Sequence, residues 1–150
     1  PARATREVTI AVMDSGFDRG SLDDVGEVHM KFFSCNRKGY FQNYFPTDLN
    51  GHGTHVTNVI AAANNGDAMN GAAKIINGGP YVTVHVYEIL NPLVRKNDPM
   101  FIMAALVHIM QLDVADIVNM SFETIWIMRP SFQLAFTGLH DTLWVASSGN

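Results

Sequence analysis

Three residues of this 150-residue chain combine a reactive side chain with an unusual context: an acid, an imidazole and an amide. Asp14 directly follows the apolar run Val8 to Met13 and opens Asp-Ser-Gly. Read alone, it is as readily a turn residue capping a strand end as a reactive carboxylate. His52 stands between two glycines in Asn50-Gly51-His52-Gly53-Thr54-His55. A histidine at a helix start is commonly structural, but small neighbours let a backbone or a substrate approach the ring closely. Asn150 follows Ser147-Ser148-Gly149 and by itself reads as a plain polar residue. His52 and His55 also form H-x-x-H, one helical turn apart. With Asp14 they would make a metal site and, with it, a metal-dependent hydrolase.

The elements that must position these groups are legible as alternating strands and helices. Val8 to Met13 is β-branched and apolar at nearly every position, the pattern of a strand covered on both faces. Phe17 to Asn50 is rich in Gly, Asp and Asn and reads as a long, loop-rich connection with one strand at Val28 to Phe33. A helix is expected from His52 to Ala63, between Asn50-Gly51 and Asn64-Asn65-Gly66. Asn77-Gly78-Gly79 signals a turn, and Val82 to Ile89 a second buried strand. Asp98-Pro99 is an N-cap followed by proline at the first helical position, opening a helix to Gln111. That helix is apolar on almost every side, so deep burial is expected. Strands at Asp116 to Met120 and Leu143 to Ala146 flank a helix from Ser131 to Leu139. Such alternation argues for an α/β fold with a largely parallel sheet, in which ligand chemistry collects at the carboxyl ends of strands. Asp14-Ser15-Gly16, Asn119-Met120-Ser121 and Ser148-Gly149-Asn150 all occupy such positions.

Composition narrows the function classes. With 47% apolar residues the chain can build a core, and it reads as part of one domain over residues 1–150. A formal net charge of −4 and the lack of any Lys/Arg block argue against nucleic acid or an acidic membrane surface as partner. Cys35 is the only cysteine, so no intrachain disulfide can form, and cysteine usage leaves the compartment open. The longest apolar-rich stretch, Pro99 to Met110, is too short to span a bilayer. No signal-peptide pattern stands in PARATREV.

Taken together, VTIAVMDSGFD, NGHGTHVTNVIAAANNG, DIVNMSFE and LWVASSGN, in that order, resemble the subtilisin-like serine proteases, the subtilases, over nearly the whole chain. The resemblance implies a three-layer α/β fold, its mainly parallel sheet flanked by helices and continuing past residue 150. It implies that His52 is the general base, that Asp14 orients and stabilises its imidazole, and that the Asn150 amide donates to the oxyanion. Ser121, Phe122 and Glu123 would line the substrate cleft, with Ser147, Ser148 and Gly149 as its opposite wall. The second histidine of the motif, His55, would be structural. By position the resemblance also implies a structural calcium, held by the carbonyls of Ala63, Asp67 and Met69, the Asn65 side chain and the Asp23 carboxylate. A peptide or protein substrate and an extracellular or secretory location follow from the same likeness.

Several residues depart from the family pattern. The nucleophilic serine lies beyond the oxyanion asparagine in a GTS-like motif, and no serine of this chain stands in one. The chain would thus be inactive alone and would need the C-terminal remainder of the domain as partner. Thr57-Asn58 stands where a small pair is usual, so Asn58 must find a hydrogen-bond partner or face solvent. Glu123 replaces a glycine, and Ile125 to Met128 replaces a small polar loop. These changes motivate an alternative, a non-catalytic subtilase-like module that binds peptides or a partner protein. A sheet that continues beyond Asn150 would also leave an exposed strand edge and apolar face here.

Overall fold

The computed structural model describes residues 7–21, 29–36, 38–63, 66, 70–74, 82–91, 96–112, 115–123 and 128–148. The apolar run at the start forms β1 (Val8–Asp14), the strand on which the sheet is centred. Beyond it come β2 (His29–Asn36), β3 (Gly39–Gln42), α1 (His52–Ala61), β4 (Val82–Glu88), β5 (Leu90–Asn91) and β6 (Lys96–Asn97). The chain continues through α2 (Pro99–Leu112), β7 (Ile117–Met120), α3 (Arg129–Gly138) and β8 (Leu143–Ala146). The main sheet has the order β3-β2-β4-β1-β7-β8, parallel except for the β2–β3 hairpin. From β1 the chain first builds β2, β3 and β4 on one side of that strand and then β7 and β8 on the other. The chain therefore changes winding direction at β1, and a crevice opens where that strand ends, at Asp14.

Period-two alternation along β1 divides the core into two layers. Ala11 and Met13 join Phe33, Tyr87 and Val118 beneath Ile102, Ala105, Leu106 and Ile109 of α2 and Ala135 of α3. Val12 joins Val84, Val86 and Phe17 on the opposite face, against Ala61, Val56 and Ile60 of α1. The expected three-layer, mainly parallel α/β arrangement is thus present.

Several elements differ from the sequence expectation. The loop-rich reading of Phe17 to Asn50 misses β3, a four-residue edge strand with an alternation too short and too exposed to register. Further along the chain, the β5–β6 ribbon of two residues per strand is likewise absent from the sequence expectation. Asp98 does cap α2, its Oδ1 accepting the Met100 amide at 2.9 Å. That helix is not buried all round, however: Met100 is 68% and Val107 49% exposed, because α3 and the sheet cover only one side. Asn58 is half-buried, and its Oδ1 is buried with no hydrogen-bond partner. The Asn77-Gly78-Gly79 turn and most of Ile125 to Met128 lie outside the described residues. At the other margin β8 is the edge strand among the described residues, with Leu143 59% and Val145 44% exposed.

A histidine in this core should make the fold acid-sensitive. His85 on β4 is only 4% exposed, packs edge-on against Phe33 and leaves Nε2 without a partner. Burial, then the neighbouring Lys31 and His108, push its pKa down to about 4, against a weaker upward pull from Glu7. Burial also lowers that of His108, whose Nδ1 lies 3.1 Å from the Tyr87 hydroxyl. Below about pH 6.5 the unfolded chain takes up a proton at position 85 that the folded chain refuses until about pH 4. The stabilisation from a neutral His85 is therefore complete above pH 6.5 and is lost as the pH falls towards 4, a difference of up to about 3 kcal/mol. Urea-unfolding midpoints of the protein between pH 7 and pH 4 should fall accordingly, and His85→Leu should flatten that dependence. An unchanged slope in the variant would remove His85 as the cause.

Candidate active site

The carboxyl end of β1 and the amino end of α1 bring the two leading candidates together. His52 Nδ1 lies 2.7 Å from Asp14 Oδ1. A carboxylate oxygen can only accept here, and the same Oδ1 also takes the Ser15 amide at 2.7 Å. The proton between the two side chains therefore belongs to His52 Nδ1, which leaves Nε2 as the basic nitrogen. Asp14 is 3% exposed, whereas the His52 side chain is 51% exposed. A buried acceptor thus holds a half-exposed ring.

Close backbone approach makes this contact possible. A Cβ on Gly53 would stand 2.3 Å from the Gly16 carbonyl oxygen and 3.1 Å from Asp14 Cβ. Gly53 thus serves the meeting of α1 with the Asp14 turn. Gly51 acts differently, capping α1 in the left-handed region at φ 86°. Such a residue brings no side chain to cap the helix.

That capping comes from Asp48, which the sequence reading passes over. Its Oδ1 accepts the Ser15 hydroxyl at 2.8 Å and the amides of Asn50 and Gly51 at 3.0 and 2.9 Å. Its Oδ2 accepts the Thr54 amide and hydroxyl at 2.9 and 2.7 Å. Burial works to raise the Asp48 carboxyl, but hydrogen bonds from Thr54, Gly51 and Ser15 outweigh it and hold the group below the ordinary carboxylate range. The signal was present in Asp48-Leu49-Asn50-Gly51, an acid ahead of a turn and a helix start.

A second carboxyl group flanks the pair. Glu88 is the register partner of Asp14 on β4 and so points to the same side of the sheet. Burial, offset by a hydrogen bond from the Ser34 hydroxyl (2.8 Å) and reinforced by Asp48, raises the Glu88 carboxyl above its ordinary range. Between Glu88, Ser34, Thr47 and Gly16 lies a cavity of about 10 Å³, room for about one water.

The remaining candidates are distributed as follows. Ser121 follows β7 and its hydroxyl pairs with the Asn119 side chain, 3.0 Å from Nδ2. Ser147, after β8, donates its amide to the Met120 carbonyl at 3.3 Å and its hydroxyl to the Phe122 carbonyl at 3.2 Å. The Ser121–Glu123 and Ser147–Ser148 segments are therefore joined at their base. Phe122 packs on the core, while the Glu123 and Ser148 positions are exposed. His55 is exposed on α1, and among the described residues no three His, Cys, Asp or Glu side chains gather as metal ligands. Ala63 is buried, but Asp23, Asn65, Asp67 and Met69 lie outside the described residues, as do Gly149 and Asn150.

Compared with known families, residues 5–150 match the model of the subtilase family. The chain belongs to the subtilase family. Solved structures share the fold of this subtilase at low identity. The patellamide maturation protease PatA is 15% identical with a TM-score of 0.67, covering 99% of this chain and 51% of its own. A cold-adapted subtilisin-like serine proteinase is 19% identical with a TM-score of 0.64, the match covering 97% of this chain and 47% of that one. The prenylagaramide maturation protease PagA is 18% identical with a TM-score of 0.60, with 95% and 46% covered. The subtilase chain thus spans about half the length of the structures it matches. No curated protein matches it.

Proposed function

We propose that this chain supplies the acid–base half of a subtilisin-type serine endopeptidase. The observation that carries the reading is the 2.7 Å contact between Nδ1 of a half-exposed His52 and a buried Asp14. In this reading His52 Nε2 takes the proton of a serine hydroxyl as that oxygen attacks a peptide carbonyl. His52 then returns it to the leaving amine, and Asp14 stabilises the imidazolium between the two steps. The Asn150 amide donates to the oxyanion, an interaction worth about 3–4 kcal/mol in enzymes of this type. Substrate backbone adds as a strand along Ser121–Glu123.

The nucleophile comes from elsewhere in the full-length protein. Supporting this, the Ser15 hydroxyl is committed to Asp48 and to the Gly53 amide. The chain also spans about half of the proteases it matches. The exposed β8 edge is where the C-terminal remainder would add to the sheet. A structural calcium at Asp23, Ala63, Asn65, Asp67 and Met69, and an extracellular or secretory location, belong to the same reading and rest on the sequence resemblance.

A fluorophosphonate probe tests it. The full-length protein should be labelled at one serine and should hydrolyse a denatured protein substrate. Both signals should disappear in His52→Ala. An unlabelled, inactive wild type that is folded would sink the reading and favour a peptide-binding module.

A further inference from the structure

The His52 ring is half-exposed, so its alignment with Asp14 depends on where the first turn of α1 is held. The amides of that turn have no intrahelical partner and must be satisfied from outside. His52 N donates to Asn50 Oδ1 at 3.3 Å, Gly53 N to Ser15 Oγ at 2.9 Å and Thr54 N to Asp48 Oδ2 at 2.9 Å. His55 N then makes the first bond of the helical series, to Gly51 O at 3.1 Å. The Ser15 hydroxyl that accepts from Gly53 donates in turn to Asp48. The Thr54 hydroxyl, besides reaching Asp48, accepts the Asp18 amide at 2.8 Å. One carboxylate therefore joins three pieces of chain: the turn after Asp14, the loop before His52 and the start of α1.

We propose that Asp48 is a positioning residue, whose carboxylate acts through the Ser15 hydroxyl to set the His52–Asp14 hydrogen bond; this rests on the peptidase reading above. The need for an acid follows from the donor count. All five groups facing the side chain are donors, three on one oxygen and two on the other. An amide at this position offers one acceptor oxygen and turns N–H bonds towards donors on its other side. The negative charge also sits at the start of a helix, where the peptide dipoles favour it.

The test uses the full-length protein with two variants and two readouts. Asp48→Asn should lower kcat at least about tenfold while KM stays within about twofold, because displacement of about an ångström at a general base costs rate more than binding. Ser15→Ala, which removes the strut but leaves the Asp48 contacts to Gly51 and Thr54, should lower kcat by about three- to tenfold. In both variants the low-field proton resonance of His52 Nδ1–H, read in ¹⁵N-histidine-labelled protein, should move upfield or broaden away. If Asp48→Asn does not fold, Ser15→Ala decides. A Ser15→Ala protein with reduced melting temperature but unchanged kcat and resonance would overturn the proposal. So would folded variants both within about twofold of wild-type kcat. A wild type that is neither labelled nor active fails the peptidase reading instead, and the resonance then tests the positioning role without it.

Discussion

Asp14→Asn should lower the kcat of the full-length protein by about 10⁴-fold with the fold intact, the scale on which serine proteases respond to this change. The local geometry leaves the amide no good orientation. Asp14 Oδ1 now receives both the Ser15 amide and His52 Nδ1, at 2.7 Å each, and Oδ2 is buried with no hydrogen-bond partner. If the Asn oxygen keeps both donors, its NH₂ group occupies the unpartnered buried side, and the imidazolium loses the charge that stabilises it. If the amide turns over, its N–H points at His52 Nδ1 and moves the ring proton to Nε2, where it cannot accept from a serine. Either outcome costs activity, while shape and volume are conserved. Circular dichroism and melting should stay near wild type as peptide hydrolysis collapses. Retention of a tenth or more of the activity would show that Asp14 is not the partner of the general base.

Gly53→Ala should damage both stability and activity, although alanine is the better helix former by about 1 kcal/mol. The new methyl would lie 2.3 Å from the Gly16 carbonyl oxygen, 3.0 Å from the Gly16 nitrogen and 3.1 Å from Asp14 Cβ. Two of these three atoms belong to backbone, so relief requires α1 to move away from the Asp14 turn. Overpacking of this kind costs about 1–3 kcal/mol, and a shift of about 1 Å in the base can cost about 100-fold in rate. The expected result is a melting temperature lower by several degrees and a kcat about two orders of magnitude down. Gly51→Ala is the contrasting control. It meets no atom within 4 Å but must hold φ at 86°, so its cost should be the left-handed penalty of about 1–2 kcal/mol. If Gly53→Ala proves no worse than Gly51→Ala, the close approach of α1 to the turn is not what shapes this site.

Much of this protein follows from its sequence alone. The run Val8–Met13, apolar at nearly every position, reads as a strand covered on both faces, and it is a central strand of the sheet. Asp98-Pro99 specified where α2 begins, and the order of the DSG, HGTHV and SSGN motifs specified the family. These features are local in physical origin: burial pattern, capping and motif spacing act over a few neighbouring residues. Short edge elements such as β3 and the β5–β6 ribbon were not legible, because a few half-exposed residues carry too little pattern. The exposed side of α2 was also hidden, since apolar residues around a helix do not say how many neighbours will cover it.

The site divides along the same line. Residue types marked Asp14 and His52 as candidates, and the glycines beside His52 announced a close approach. What approaches was decided by tertiary structure: parallel pairing of β1 with β4 and β7 brings the Asp14 turn against α1, so that Gly53 meets Gly16 rather than a ligand. Asp48 shows the limit most clearly. Its place before a helix start was visible, but its bond to Ser15, 33 residues away, exists only because folding joins two distant turns. Sequence carries which groups can donate and accept; the fold alone decides which of them meet, because hydrogen bonds form over about 3 Å and the chain separates those partners by many residues.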